Sequence, residues 1–497
     1  MIYILALAVT INGLTITNVT SPVRLDPLLT KGYENIPFIA QTLMTNYKTA
    51  DSQDPSVFYL MSFQSNDSEI GNHVVGDVFD SNFRESTNIN NLPLDIDDDS
   101  LNTSNSNGYA FTELYANGVC TSPVTNDIIT CWINITVSFA IVNYQIGCRI
   151  YFVATNTFSD TIFVTNTTLG QSINNAQRGV VCFDDSYFIP YGYTNVRFSE
   201  TDIIYATLLD LKGNIKYKEV ELKNISIPRT ELDLIYGTKG SKQFNAKSIN
   251  SAATDLFTVT FALYNTTDNT TTTNGLFGYY TNISDPNFPI TIYNDTIVQR
   301  ATDVIFTGEG YVQPLVGITT ELASDCCYIF AYEVYQYTQQ SGDVDDVYLM
   351  ITDIHGNNID IAGLSNNEDF LAISNISDSY IDSIVDLPSI SSGNARYFML
   401  SYSNNTMYDN ANVTAVRIFY LEKQGNTYQL NSAGDYAITN IQGDIPPQSY
   451  PSFDNVFVYN PPGTSLLMYT WVQEQQMVVN GTYSYPQQIR GQTFEIK

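Results

Sequence analysis

Apolar residues along the chain gather into short runs that end on an aromatic ring, and the runs recur. They read VFYLMSF ending at Phe63, IITCW at Trp132, SYFIPYGY at Tyr193, LFTVTF at Phe261, CCYIFAY at Tyr332, ARYFMLSY at Tyr402 and SLLMYTW at Trp471. The gaps between these anchors are 69, 61, 68, 71, 70 and 69 residues. A near-constant period of this length is the mark of a repeat architecture. No segment shows sustained 3.6-residue periodicity with helix caps, so the runs predict strands.

A second apolar run follows each anchor: HVVGDVFD (73–80), YQIGCRIYF (144–152), IIYATLLD (203–210), GLFGYY (275–280), DVYLMITD (346–353), AVRIFYLE (415–422) and QQIRGQTFEI (487–496). Three of them lead into Gly-Asn pairs at Gly213-Asn214, Gly356-Asn357 and Gly425-Asn426. Gly and Asn tolerate the positive φ of tight hairpin turns, so each pair predicts an antiparallel hairpin. Prolines at Pro37, Pro388 and Pro451 open a further segment before several anchors. Proline is acceptable at the first residue of a strand, where no ladder donor is required. One repeat is therefore four short antiparallel strands in about 68 residues.

A Pro-led strand, a strand ending in Trp or Tyr, and an I-x-G-Q-x-F strand before a Gly-Asn turn together resemble the blade of large extracellular β-propellers. The last repeat carries the pattern in Pro451, Trp471, Ile489, Gly491, Gln492 and Phe494, and the first in Pro37, Phe63, Gly76 and Phe79. The third repeat lacks the glycine of its third strand, and the fourth carries a Thr/Asn insertion. The resemblance implies an all-β chain forming a closed, seven-bladed β-propeller. The seventh repeat stops at Lys497 after its third strand, and GLTITNV (13–19) offers a spare strand to complete that last blade. Closure in this way removes exposed sheet edges; the alternative is a row of tandem β-sandwich domains. The expected layout is an N-terminal apolar segment over 1–34 and blades over 35–100, 101–170, 171–232, 233–305, 306–375, 376–440 and 441–497.

Composition agrees with strand and turn: 36 Tyr and 26 Phe, with only 14% charged residues. A net charge of −30 excludes a nucleic-acid groove, which needs clustered Lys and Arg, and disfavours anionic membrane surfaces. No stretch beyond the N-terminus is apolar enough to span a bilayer. The N-terminal MIYILALAVTINGLTI has the apolar core of a signal peptide without a preceding Lys or Arg. It reads as a cleaved signal, a closing strand, or a strand donated to a neighbour.

Sequons fall at Asn18, Asn66, Asn102, Asn134, Asn166, Asn224, Asn265, Asn269, Asn282, Asn294, Asn375, Asn404, Asn412 and Asn480. Their density predicts N-glycosylation. The six cysteines Cys120, Cys131, Cys148, Cys182, Cys326 and Cys327 lack zinc-site spacing and predict disulfides, hence an oxidising compartment. Sequence proximity suggests that Cys120 staples to Cys131 while Cys148 ties the second repeat to Cys182 of the third. Successive side chains of a strand face opposite sides, so the vicinal Cys326-Cys327 suggests either a strained ring or two thiols that part ways. Together these place the protein outside the cytosol, secreted or at the cell surface.

Candidate chemistry is sparse. His73 and His355 both read as solvated residues beside hairpins. The acidic stretches Asp95–Ser100 and Gly342–Asp346 read as solvated loops that could hold structural calcium, without the glycine and distal glutamate of an EF-hand. NTTDNTTTTNG (265–275) reads as a glycan-bearing loop. No cofactor is expected. The expectation is a non-enzymatic surface glycoprotein with a structural or adhesive role, self-assembling into a fibre, appendage or surface layer. Its partners would be other copies of itself or other surface proteins. The alternative is a carbohydrate- or protein-binding module, with a carboxylate-based glycoside hydrolase behind it.

Overall fold

The fold is that of a computed structural model. It describes residues 10–11, 14–25, 38–47, 56–64, 72–85, 94–95, 110–138, 141–165, 171–172, 179–195, 201–226, 245–248, 255–265, 270–280, 290–294, 298–301, 314–323, 326–338, 342–353, 357–364, 370–376, 381–387, 389–391, 395–408, 411–437, 451–461, 463–474, 477–479, 482–484 and 487–497. Every regular element among them is a strand, and no helix is long and apolar enough to cross a membrane.

The strands form seven antiparallel sheets of four or more, beside one short hairpin, Met477–Val479 with Thr482–Ser484. In the first sheet Phe38–Tyr47, Ser56–Gln64, Asn72–Asp80 and Leu94–Asp95 follow one another. The second is built on Ala110–Thr121, Ile128–Ser138 and Ile141–Phe152; the third on Ser186–Asn195, Thr201–Asp210 and Ile215–Ser226. The fourth runs from Asn245–Ser248 to Ile290–Asn294, the fifth from Pro314–Ala323 to Phe370–Ile376, and the sixth from Ile381–Asp386 to Thr427–Ala437.

The seventh sheet takes Pro451–Tyr459, Leu466–Glu474 and Gln487–Ile496 from the end of the chain and Leu14–Asn18 from its beginning. Ile16 pairs with Ile496 and Asn18 with Phe494, while Val23–Arg24 covers the other end of the same strand. Thr15 and Lys497 exchange backbone hydrogen bonds of 2.7 and 2.9 Å. Ile16 and Leu25 are buried, so this N-terminal segment contributes two side chains to the core.

Neighbouring sheets share cores, and the alternation within one strand shows why. Ile128 and Trp132 face the first sheet, packing with Phe58, Leu60 and Val74. Their chain neighbours Ile129, Cys131 and Ile133 face the third, packing with Tyr187, Ile189 and Leu209. A strand buried on both faces needs apolar residues at successive positions. That is the origin of the continuous apolar runs. The fifth and sixth sheets share a core, as do the sixth and seventh. The seventh and first meet through Met468, Val472 and Ile489 against Val57, Tyr59 and Phe79. The first strands are adjacent in cyclic order: 38–47 beside 110–121, then 181–182, 245–248, 314–323, 381–386, 451–459, and back to 38–47. The fold is an all-β propeller.

Two local devices repeat. In the first, a third-strand glycine lies under a second-strand ring. A Cβ on Gly147 would stand 2.9 Å from the indole of Trp132, its direct cross-strand partner, and one on Gly76 would clash with the Phe58 ring. The glycine motif therefore exists to seat an aromatic ring. In the second, an aspartate ends the third strand. Asp80 Oδ1 accepts from the amides of Asn82 and Arg84, and Asp210 Oδ1 from those of Lys212 and Asn214. Asp353 likewise accepts from the Asn357 amide. Gly213 has φ 87° in this turn, and Gly425 has φ 65° in its two-residue turn. At the position of Gly213 the first sheet places Phe83, at φ 56°.

Several expectations are corrected. Gly342–Asp353 is a strand, with Asp343, Asp345 and Asp346 opposite Tyr337, Tyr335 and Val334. Alternation with Val344 and the aromatic partners outweighs the charges. Thr270–Tyr280 is a strand as well, with Thr271–Thr273 opposite Tyr264, Leu263 and Ala262, because β-branched threonines suit a pleated sheet. His73 lies within the strand Asn72–Asp80, opposite Phe63, and is buried. His355 and the acidic residues 97–99 lie outside the described residues.

Candidate functional site

The cysteines were expected to pair by proximity in sequence; the structure pairs them by register. Cys131 bonds Cys148, and Cys120 bonds Cys182. Cys131 and Cys148 stand directly opposite on adjacent strands, with Cα atoms 4.1 Å apart. An irregularity between Ala116 and Gly118 sets Gly118 opposite Cys131 and leaves Cys120 opposite Ile129. Cys120 is thus free to reach the neighbouring sheet. Gly118 allows the approach: a Cβ there would lie 2.8 Å from the Val180 nitrogen and 2.9 Å from the Gly179 carbonyl carbon. Cys327 is fully buried and disulfide-bonded, while the side chain of Cys326 lies outside the described residues.

Polar groups flank the disulfide between the second and third sheets. Asp127, nearly buried, accepts from the Val153 amide at 3.0 Å. Burial raises the pKa of the Tyr187 phenol, and the charge of Asp127 raises it further. Thr207 of the third sheet donates to the Val164 carbonyl of the second at 3.0 Å.

Among the described residues another charged constellation braces the fifth and sixth sheets. Arg417 donates through Nε and Nη2 to the two oxygens of Asp435, and through Nη1 to the Ala372 carbonyl of the fifth sheet. The Tyr402 phenol is pushed up to about 12 by burial and by the charge of Asp435. Burial opposes the charge of Arg417, but its hydrogen bond and ion pair with Asp435 prevail and raise its pKa. Each guanidinium nitrogen is committed, so the arrangement holds two sheets together. The sequence signal was an Arg and an Asp inside apolar strands, legible only once the strands are paired.

Sequons are sorted by sheet geometry. Asn18 is exposed at the end of its strand. Asn134 is 6% exposed, between Leu114 and Gln145 on the two adjoining strands. Asn224, Asn265, Asn294, Asn375, Asn404 and Asn412 lie within strands, but their side chains are outside the described residues. Asn66, Asn102, Asn166, Asn269, Asn282 and Asn480 lie outside them altogether. No group of three or more His, Cys, Asp and Glu stands together among the described residues.

No protein-family model matches the chain, and no curated protein does. Solved structures do. Extracellular domains 1–2 of Drosophila Semaphorin 1a match at 9% identity and a TM-score of 0.43, over 95% of this chain and 88% of theirs. A levansucrase mutant from Bacillus subtilis matches at 8% identity and 0.35, over 83% and 89%. A subtype N11 neuraminidase-like protein from a flat-faced bat influenza virus matches at 10% and 0.31, over 98% and 94%. These likenesses transfer no activity. The expectation of a non-enzymatic structural or adhesive protein is corrected: levansucrases are among the similar solved structures. That expectation was drawn from the lack of recognisable catalytic groups in an extracellular repeat scaffold, and it is withdrawn.

Proposed function

We propose that the protein works outside the reducing cytosol, as a secreted or cell-surface glycoprotein whose seven sheets are seven blades of one repeated unit. The recurrent aspartate turns at Asp80, Asp210 and Asp353 and the ring-over-glycine pairs support the repeat. The observation that carries the location is the disulfide pair in the second and third sheets. Cys131 and Cys148 are fully buried, and the Cys120–Cys182 bond crosses between sheets. Bonds set in the core at two successive levels belong to a fold completed under oxidising conditions. Partners from the same compartment, other surface proteins, suit a chain with 51 acidic and 21 basic residues, which is unsuited to phosphate backbones.

The test is a thiol count on native protein recovered from its source. Denatured without reductant, it should show no reactive thiol, and after reduction six. Free thiols at Cys120, Cys131, Cys148 and Cys182 in freshly isolated protein would overturn the reading.

A further inference from the structure

The geometry points to Asn18 as an occupied N-glycosylation site and to Asn134 as an empty one, although both satisfy the same three-residue rule. The inference rests on the extracytoplasmic reading above, because only there does a chain meet the glycosylation machinery.

Asn134 sits on Ile128–Ser138, a strand with partners on both sides. Side chains alternate faces along a strand, so Asn134 shares its face with Ile128 and Trp132. Those two residues pack against Tyr47, Phe58, Leu60 and Val74 of the first sheet. A glycan on Asn134 would therefore have to pass between two packed sheets. Interiors at native packing density leave no such channel. The side chain, 6% exposed, is also engaged in the fold. A chain glycosylated there before folding could not bring its first and second sheets together.

Asn18 stands in the opposite situation. It is exposed where Leu14–Asn18 leaves the seventh sheet. The backbone beside it is held without using the Asn18 side chain. Val19 donates to the Thr493 carbonyl at 2.9 Å, the Thr20 hydroxyl accepts from the Thr493 amide at 3.0 Å, and Gln492 donates to the Thr20 carbonyl at 3.0 Å. A sugar on Asn18 leaves every one of these bonds intact. Because the Thr20 hydroxyl that completes the sequon is occupied once the strand docks, transfer would precede closure of the seventh sheet.

Site-resolved glycopeptide mass spectrometry of the natively produced protein tests this, together with the intact mass of Asn18→Gln. The expected result is a glycan on the Asn18 peptide, the unmodified mass for the Asn134 peptide, and loss of one glycan mass in the variant. An unmodified Asn18 while other sequons carry sugar would overturn the assignment and leave the extracytoplasmic reading standing. A glycan on Asn134 in folded protein would overturn it equally. Absence of glycan at every sequon, with four free thiols, would remove the extracytoplasmic reading and the inference together.

Discussion

The junction between the second and third sheets and the seam between the seventh and first perform the same task by different means. The former holds a disulfide, Cys120–Cys182, and a hydrogen bond from the Thr207 hydroxyl to the Val164 carbonyl. The latter has no covalent link among the described residues. It relies on the N-terminal strand, on Leu25, and on the Phe83 ring lying over Gly491. Thr493 adds a hydrogen bond to the Ser81 carbonyl, reaching into the same turn that carries Phe83. Consecutive sheets stay close because the chain connects them, whereas the seam must be recruited from residues more than 400 positions apart. The seam nevertheless has the more demanding backbone. A bulky residue at positive φ costs roughly 1–3 kcal/mol and persists only where packing over-determines it. Phe83, 1% exposed in the core shared by the two sheets, meets that condition.

The largest effect should come from removing the recruited strand. Deleting residues 14–25 strips Ile16 and Leu25 from the core and opens an edge on Gln487–Ile496. Each buried aliphatic side chain is worth about 1.5–3 kcal/mol. The shortened chain should lose its cooperative thermal transition and elute as larger species, and a sharp transition with a monomer peak would show that the seam is dispensable.

Next is the stapled junction. Replacing Cys120 and Cys182 together by Ser removes a link closing 62 residues, worth about 4 kcal/mol on the chain-entropy account. The Cys131 and Cys148 pair, 17 residues apart, should cost about 3 kcal/mol. Chemical denaturation of both double variants would measure the difference, and equal midpoints would remove the distinction between a link within a sheet and one between sheets.

Gly491→Ala should cost about 1–3 kcal/mol, since its Cβ would lie 2.9 Å from the Phe83 ring. Phe83→Ala alone should cost about 3 kcal/mol. Combined, they should cost less than their sum, because truncating the ring makes room for the methyl. Strict additivity in a double-mutant cycle would mean that the two do not meet at the seam.

The smallest effect is electrostatic. Desolvation raises the Asp210 carboxyl, but hydrogen bonds from Asn214 and Lys212 and the charge of Lys216 prevail and hold it below its ordinary value. A depressed carboxylate contributes stability that is present above its unfolded pKa of about 3.9 and lost as pH falls through the folded value. Melting temperature should therefore fall more steeply below about pH 4 in the parent than in Asp210→Asn. Parallel acid limbs would show that the turn's hydrogen bonds persist without the charge.

The strands and the recruitment of GLTITNV into the last sheet were legible in the sequence because both follow from local pattern: apolar runs, turn residues, and a repeat short of one strand. What was not legible depends on register across the sheet. Cys131 pairs with Cys148 because they stand directly opposite on adjacent strands, and an irregularity at Ala116–Gly118 that no local residue announces sets Cys120 opposite Ile129. Asp343–Asp346 read as a solvated loop because carboxylates favour water, yet their cross-strand partners are tyrosines and a valine. His73 was read as solvated for the same reason, and the opposing strand buries it. Asn134 shows the limit most plainly, since its three-residue motif is identical in form to that of Asn18.

The ring of Trp132 over Gly147 has a practical consequence. The chain has only two tryptophans, and they sit in different shared cores: Trp132 between the first and second sheets, Trp471 between the sixth and seventh. Trp132 is fully buried, and its indole N–H meets no acceptor among the described residues. An indole so isolated from polar groups emits at the blue end of its range, so intrinsic fluorescence reports on two separate parts of the ring without any added dye. Replacing one tryptophan at a time by Phe would let each part's opening be followed by wavelength alone.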